Sequence, residues 1–222
     1  MNRGPLCDNF IACLEAFKPA RYAATRSLAL YSASIALSDY EVLTQSQQIC
    51  IHYGATSGQM YETVLQSYLF LGFPRMLTAA ERLAQDGLAP VDGRMSARVE
   101  DNSMGDWLGR GRALCHRVYD SNYDALKSRV EAMAPEIFLW MELEGYGKVL
   151  SRTGLDIVDR ELAIVSCLIM ENRPAQLHSH LRGAINVGAP HELVRHVVSD
   201  LNPVIADADE STVSILRRLE LV

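Results

Sequence analysis

Sliding the chain against itself by 134 residues, the offset from Arg26 to Arg160, aligns two stretches without a gap. Arg26-Ser27-Leu28-Ala29 falls on Arg160-Glu161-Leu162-Ala163, and the register holds until Gly54-Ala55 meets Gly188-Ala189. Between those ends Ser32 repeats as Ser166, Ile35 as Ile169, Leu43 as Leu177 and Ile51 as Ile185. Two amphipathic segments and a glycine-marked turn therefore occur twice, which is the pattern of a duplicated supersecondary unit. Chance similarity between amphipathic segments rarely keeps one register so long and finishes on the same turn.

The segments themselves read as helices. Apolar residues recur at intervals of three and four over 21–37, 40–54, 59–71, 123–149, 157–170, 175–187 and 191–201. No alternating strand of useful length competes with them, so the expected fold class is all-α. Pro and Gly fall between the segments, as in Gly72-Phe73-Pro74, Arg173-Pro174 and Gly188-Ala189-Pro190, where they end one helix and start the next. The stretch 86–112 holds five glycines and several charges and reads as a linker or loop. The expected organisation is a first unit over 1–85, this linker, and a second unit over 113–222.

Composition narrows the function classes. Apolar residues make up 49% of the 222 positions, enough for a substantial core. The net charge is -6 and the 21 basic residues are scattered, which argues against nucleic acid as a partner. No apolar run approaches the roughly 20 residues of a membrane span. Asp8 and Glu15 interrupt the start, which is unlike a signal-peptide core, and the expected compartment is the cytosol. Cys7, Cys13, Cys50, Cys115 and Cys167 are odd in number and form no C-x-x-C, so free thiols filling a core are expected rather than disulfides.

The two repeats differ where chemistry is concerned. Glu161 stands where the first copy has Ser27, and His180 where it has Ser46. A helical wheel puts Ile157, Val158, Leu162, Ile164, Val165 and Leu168 on the Glu161 side and Asp159, Ala163, Ser166 and Met170 across from it. His180 likewise shares a face with Leu177, Ala184 and Val187, with Gln176 and Gly183 alongside. An inward carboxyl and an inward imidazole, absent together from the other copy, form a candidate acid/base pair. In a plain hairpin around Arg173-Pro174 they would miss each other by roughly 6 Å along the axis, so a tilted crossing or a bridging water is required. His178 points about 200° away from His180 on the wheel, so the H-x-H pair cannot converge on one metal and no metal site is expected. Cys115-His116, adjacent in sequence, point apart as a nucleophile and base would not.

Arg160-Glu161-Leu162-Ala163, Gln176-Leu177-His178-Ser179-His180 and Gly183-Ala184-Ile185-Asn186-Val187-Gly188-Ala189 together resemble the core signature of the carboxymuconolactone decarboxylase family, in the AhpD-like superfamily. Tyr146-Gly147 and Gly154-Leu155-Asp156 extend the resemblance to about 140–200, and Glu62, Tyr68, Gly72 and Pro74 resemble the end of the same unit after the first copy. The resemblance implies an AhpD-like helical bundle built from two tandem units, the first degenerate. It also implies a homo-oligomer, a trimer or hexamer, or a dimer because the unit is duplicated, with no cofactor. The peroxidase branch carries a C-x-x-C where this chain has Arg173 and Gln176, so a thiol peroxidase cycle is not implied. The decarboxylase branch implies decarboxylation or proton transfer on a small carboxylated lactone or related organic acid, with Glu161 and His180 catalytic. His178, Gln176, Arg160 and Arg182 are secondary candidates, the arginines as holders of a substrate carboxylate or as surface charge. A non-catalytic oligomer that keeps only the frame is the competing expectation, and an alkylhydroperoxidase-type thiol oxidoreductase acting through Cys50 or Cys167, which would require one of them near His180, is a third.

Overall fold

In the computed structural model, residues 4–89 and 103–221 are described, and they form helices joined by short turns with no strand among them. The helices are α1 (Pro5–Ala16), α2 (Ala23–Leu37), α3 (Tyr40–His52), α4 (Ser57–Gln85), α5 (Met104–Tyr119), α6 (Tyr123–Met133), α7 (Pro135–Trp140), a π-helix (Met141–Leu150), α8 (Ile157–Met170), α9 (Pro174–Asn186), α10 (His191–Ser199), α11 (Asn202–Ile205) and α12 (Glu210–Arg218).

Local chemistry sets these boundaries. The Asp156 carboxylate accepts from the Val158 N–H at 2.8 Å to start α8, and Pro174 opens α9 at a position where no N–H is needed. Thr56 with Gln59, and Ser103 with Asp106, form reciprocal capping boxes at the starts of α4 and α5. α3 and α9 end on the same kind of turn. Gly54 (φ 85°) and Gly188 (φ 110°) are left-handed. The Ala55 N–H donates to Cys50 O at 2.9 Å and the Ala189 N–H to Ala184 O at 2.8 Å, the six-to-one bond of a Schellman cap. Gly72 (φ 78°), two residues before Pro74, breaks α4 into two arms.

α2 and α8, the first helices of the two stretches that align at an offset of 134, pack against each other at the centre, where the Ser32 hydroxyl donates to Ala163 O at 2.7 Å. α3 and α4 cover α2, α9 covers α8, and one apolar core runs through both halves of the chain. α8 is buried on every side from Arg160 to Met170, so the polar face that the wheel assigned to Ala163, Ser166 and Met170 does not exist. The structure also divides the periodic run 123–149: Pro135 separates α6 from α7, and the backbone then widens into the π-helix.

The 86–112 stretch is a connector only in part. Residues 90–102 lie outside the described residues, but Met104 begins a helix that packs along the π-helix. Glycines permit that packing. A Cβ on Gly111 would lie 1.7 Å from Glu142 O, and one on Gly147 would lie 2.1 Å from Trp107 O, so the two backbones touch. This close approach fixes Tyr119 and Tyr146 beside α9.

Candidate active site

α8 and α9 bring Glu161 and His180 together directly. His180 Nδ1 lies 2.8 Å from Glu161 Oε2, with Glu161 fully buried and His180 5% exposed. The crossing of the two helices removes the axial mismatch that a plain hairpin would leave, and no bridging water is needed. Gly183, one turn after His180, allows the approach: a Cβ there would sit 2.9 Å from Glu161 Oε2 and 2.8 Å from Val118 Cγ1. Glu161 Oε1 has no hydrogen-bond partner among the described residues. An unsatisfied buried carboxyl oxygen is costly, and such exceptions call for a functional or structural reason.

With Nδ1 facing Glu161, Nε2 is the ring nitrogen left for the cavity that His180 lines. That cavity holds about 260 Å³ and is walled by Phe70, Tyr119, Trp140, Met141, Tyr146 and Leu150 among others. Its volume is just below the range of about 300–1,000 Å³ typical of drug-sized ligands, so it suits a small molecule. Phe70 meets the His180 ring edge-on at 5.3 Å between centroids and restricts its rotation. At the rim, the Tyr68 hydroxyl donates to Glu144 at 2.9 Å and its ring stacks on Phe73.

Tyr119 and Tyr146 escaped the sequence reading, although both line this cavity. Their rings meet edge to face, with centroids 6.1 Å apart. Burial, and after it the nearby Glu161 charge among other neighbours, pushes both phenols well above their ordinary value, so they stay protonated donors at neutral pH.

The secondary candidates land elsewhere. Arg160 is neither surface charge nor a substrate holder: it is fully buried, donates to Glu62 at 2.8 Å and to Gln66 Oε1 at 3.1 Å, and also bonds Arg152 O. Glu62 in turn accepts from Arg152 in a forked pair, with oxygens at 2.8 to 3.1 Å. This cluster ties α4 to the start of α8 and is absent from the cavity lining. Gln176 and Arg182 are exposed, and neither they nor His178 reach the cavity. His178 and Arg182 line a separate groove, so the two histidines of the H-x-H run face different spaces. Among the described residues no three His, Cys, Asp or Glu side chains group as a metal site would need.

Ser27 and Ser46, which align with the pair, are buried and hold no acid/base group. The Ser27 hydroxyl donates to Ala24 O at 2.7 Å, and Ser46 to Leu43 O at 2.9 Å, each within its own helix. Cys50 and Cys167 are buried with their thiols raised, Cys50 to about 12, chiefly by burial, and Cys115 rather than either of them feels the Glu161 charge. No family model matches the chain, and no curated protein matches it. Among the described residues no helix is long and apolar enough to cross a membrane.

Proposed function

We propose that the protein is a cofactor-independent acid/base enzyme that moves a proton on, or removes CO2 from, a small carbonyl compound such as a carboxylated lactone. The observation that carries this reading is the buried Glu161–His180 hydrogen bond of 2.8 Å at the wall of an apolar cavity. A buried carboxylate that accepts from Nδ1–H fixes the tautomer and ring orientation and stabilises the imidazolium. Nε2 can then take a proton from a carbon beside a carbonyl and return it to another atom. The electron pair left on carbon delocalises into the carbonyl, and the hydroxyl of Tyr119, a residue of the same lining, can donate to the resulting enolate oxygen.

For decarboxylation the C–C bond to the carboxylate breaks, CO2 leaves, and the same enolate is protonated at carbon by the His180 imidazolium. The cavity lining contains no Arg or Lys, only Glu144 and His180 as ionisable groups beside the two tyrosines. A substrate carboxylate there would be desolvated against Leu69, Phe70, Ile137 and Trp140, an environment that favours its loss as neutral CO2. An adjoining cavity, and the burial of both members of the pair, favour this reading over a frame kept only for assembly. The same reading takes 26–55 and 160–189 as copies of one unit, the first stripped of the pair, and keeps a homo-oligomer as the expected assembly.

The test is turnover of a panel of carboxylated lactones, carboxymuconolactone included, followed by CO2 release and by deuterium incorporation from D2O. Wild type is expected to turn over at least one of them. Glu161→Gln and His180→Ala are expected to lower the rate by about 10²-fold or more, and Tyr119→Phe by a smaller factor. Full turnover by His180→Ala would remove the acid/base assignment.

A further inference from the structure

A second groove lies on the far side of Tyr119, the residue it shares with the cavity above. It encloses about 200 Å³ between α9, α6 and the turn that joins α5 to α6. On α9, His178, Arg182 and Asn186 follow at four-residue spacing and so form one ridge along it. Arg129 from α6 stands opposite, with Asn122 and Ser179 completing the polar lining.

The groove is lined by positive charge without a carboxylate. The chain carries a net charge of -6, and Arg26, Arg75, Arg82, Arg112, Arg152 and Arg160 each meet a carboxylate. Arg129 and Arg182 meet none among the described residues, and no Asp or Glu lines the groove. Two guanidinium groups line one groove whose lining holds no carboxylate, so an anion can sit between them without displacing an internal counter-charge. Guanidinium forks match the paired oxygens of a carboxylate or phosphate, and the Asn122 amide beside them can supply a further donor.

We infer that this groove is a binding site for one small oxyanion, a carboxylate or a phosphate, gripped between Arg129 and Arg182 with His178 and Asn122 as further donors. The site stands independently of the acid/base reading, because none of its polar side chains touches the Glu161–His180 pair. Arg129 does lie within electrostatic reach of the Tyr119 phenol, so a bound anion sits next to the wall of the cavity.

Isothermal titration calorimetry of the full chain at low salt tests this, with inorganic phosphate in one arm and succinate in the other. Saturable one-to-one binding of either anion is expected, accompanied by a shift of the His178 ring resonances. The double variant Arg129→Gln/Arg182→Gln is expected to bind at least about tenfold more weakly, and Arg195→Gln, an exposed arginine on α10, to bind as wild type does. Arg129 and Arg182 are themselves exposed, so the double variant is expected to keep its helical circular dichroism and melting point. Binding of phosphate alone identifies a free inorganic anion as the ligand, and binding of succinate alone identifies an organic acid. Absence of saturable binding in both arms, or a double variant that binds as tightly as wild type, overturns the proposal.

Discussion

Gly183→Ala probes the geometry of the candidate pair more selectively than removal of either member. The new methyl carbon would lie 2.9 Å from Glu161 Oε2 and 2.8 Å from Val118 Cγ1. Ordinary contact begins near 3.5 Å, so the carboxylate must retreat by roughly 0.6 Å or α9 must tilt. Overpacking of this sort costs about 1–3 kcal/mol. Alanine in a helix interior returns about 1 kcal/mol over glycine, so the net loss is at most about 2 kcal/mol. For a chain of 222 residues that corresponds to a melting point lowered by at most about 4–8 °C. The hydrogen bond at 2.8 Å has no such compensation, because the substituent presses on the very oxygen that His180 faces. Thermal melting by circular dichroism and the proton resonance of His180 Nδ1–H report the two effects separately. A melting point lowered by no more than that, with a displaced or lost Nδ1–H signal, is expected, together with a fall in turnover of about 10²-fold. An unchanged Nδ1–H resonance and undiminished activity would refute the claim that Gly183 makes room for the Glu161 carboxylate.

Two further outcomes follow from the buried charges and thiols. Glu62→Gln leaves Arg160 fully buried without its counter-charge and is expected to destabilise the protein by about 3–5 kcal/mol in urea unfolding at pH 7. Burial pushes the Glu62 carboxyl up, but the hydrogen bonds and charges of Arg152 and Arg160 outweigh it and hold the group below its ordinary value of 4.5. Its contribution is thus complete above that value and lost as pH falls through the folded one, so the gap between wild type and Glu62→Gln should narrow only below about pH 4.5. Burial raises the Cys13 thiol to about 11 and those of Cys50 and Cys115 to about 12. At pH 8 iodoacetamide should leave these three unmodified in the folded chain and label them in denaturant, and rapid native labelling of any one would contradict its placement in the core.

The helical class and most helix boundaries were legible because they rest on local chemistry: the spacing of apolar residues, Asp156 and Pro174 at helix starts, and left-handed glycines at 54 and 188. The pairing of Glu161 with His180 was legible from their inward faces and joint absence at Ser27 and Ser46. The α6–α7 break and the π-helix were not, since apolar spacing over 123–149 is nearly the same for a continuous α-helix and for the wider one. The loop reading of 86–112 failed at Met104 for a related reason. Glycine suggests a turn in a sequence, whereas Gly111 serves a contact between backbones that is invisible until the π-helix is in place.

What the sequence determined by itself is therefore the set of helices, their caps, and which residues point toward some interior. What stands opposite each of those residues was decided only by tertiary packing. A helical wheel gives a direction relative to one axis, and α8 is enclosed on all sides, so its two adjacent ionisable residues meet opposite fates: Arg160 locks to Glu62, and Glu161 meets His180 at a cavity. Tyr119 and Tyr146 belong to helices brought together by contacts distant in the chain, and no local pattern places their hydroxyls beside that pair.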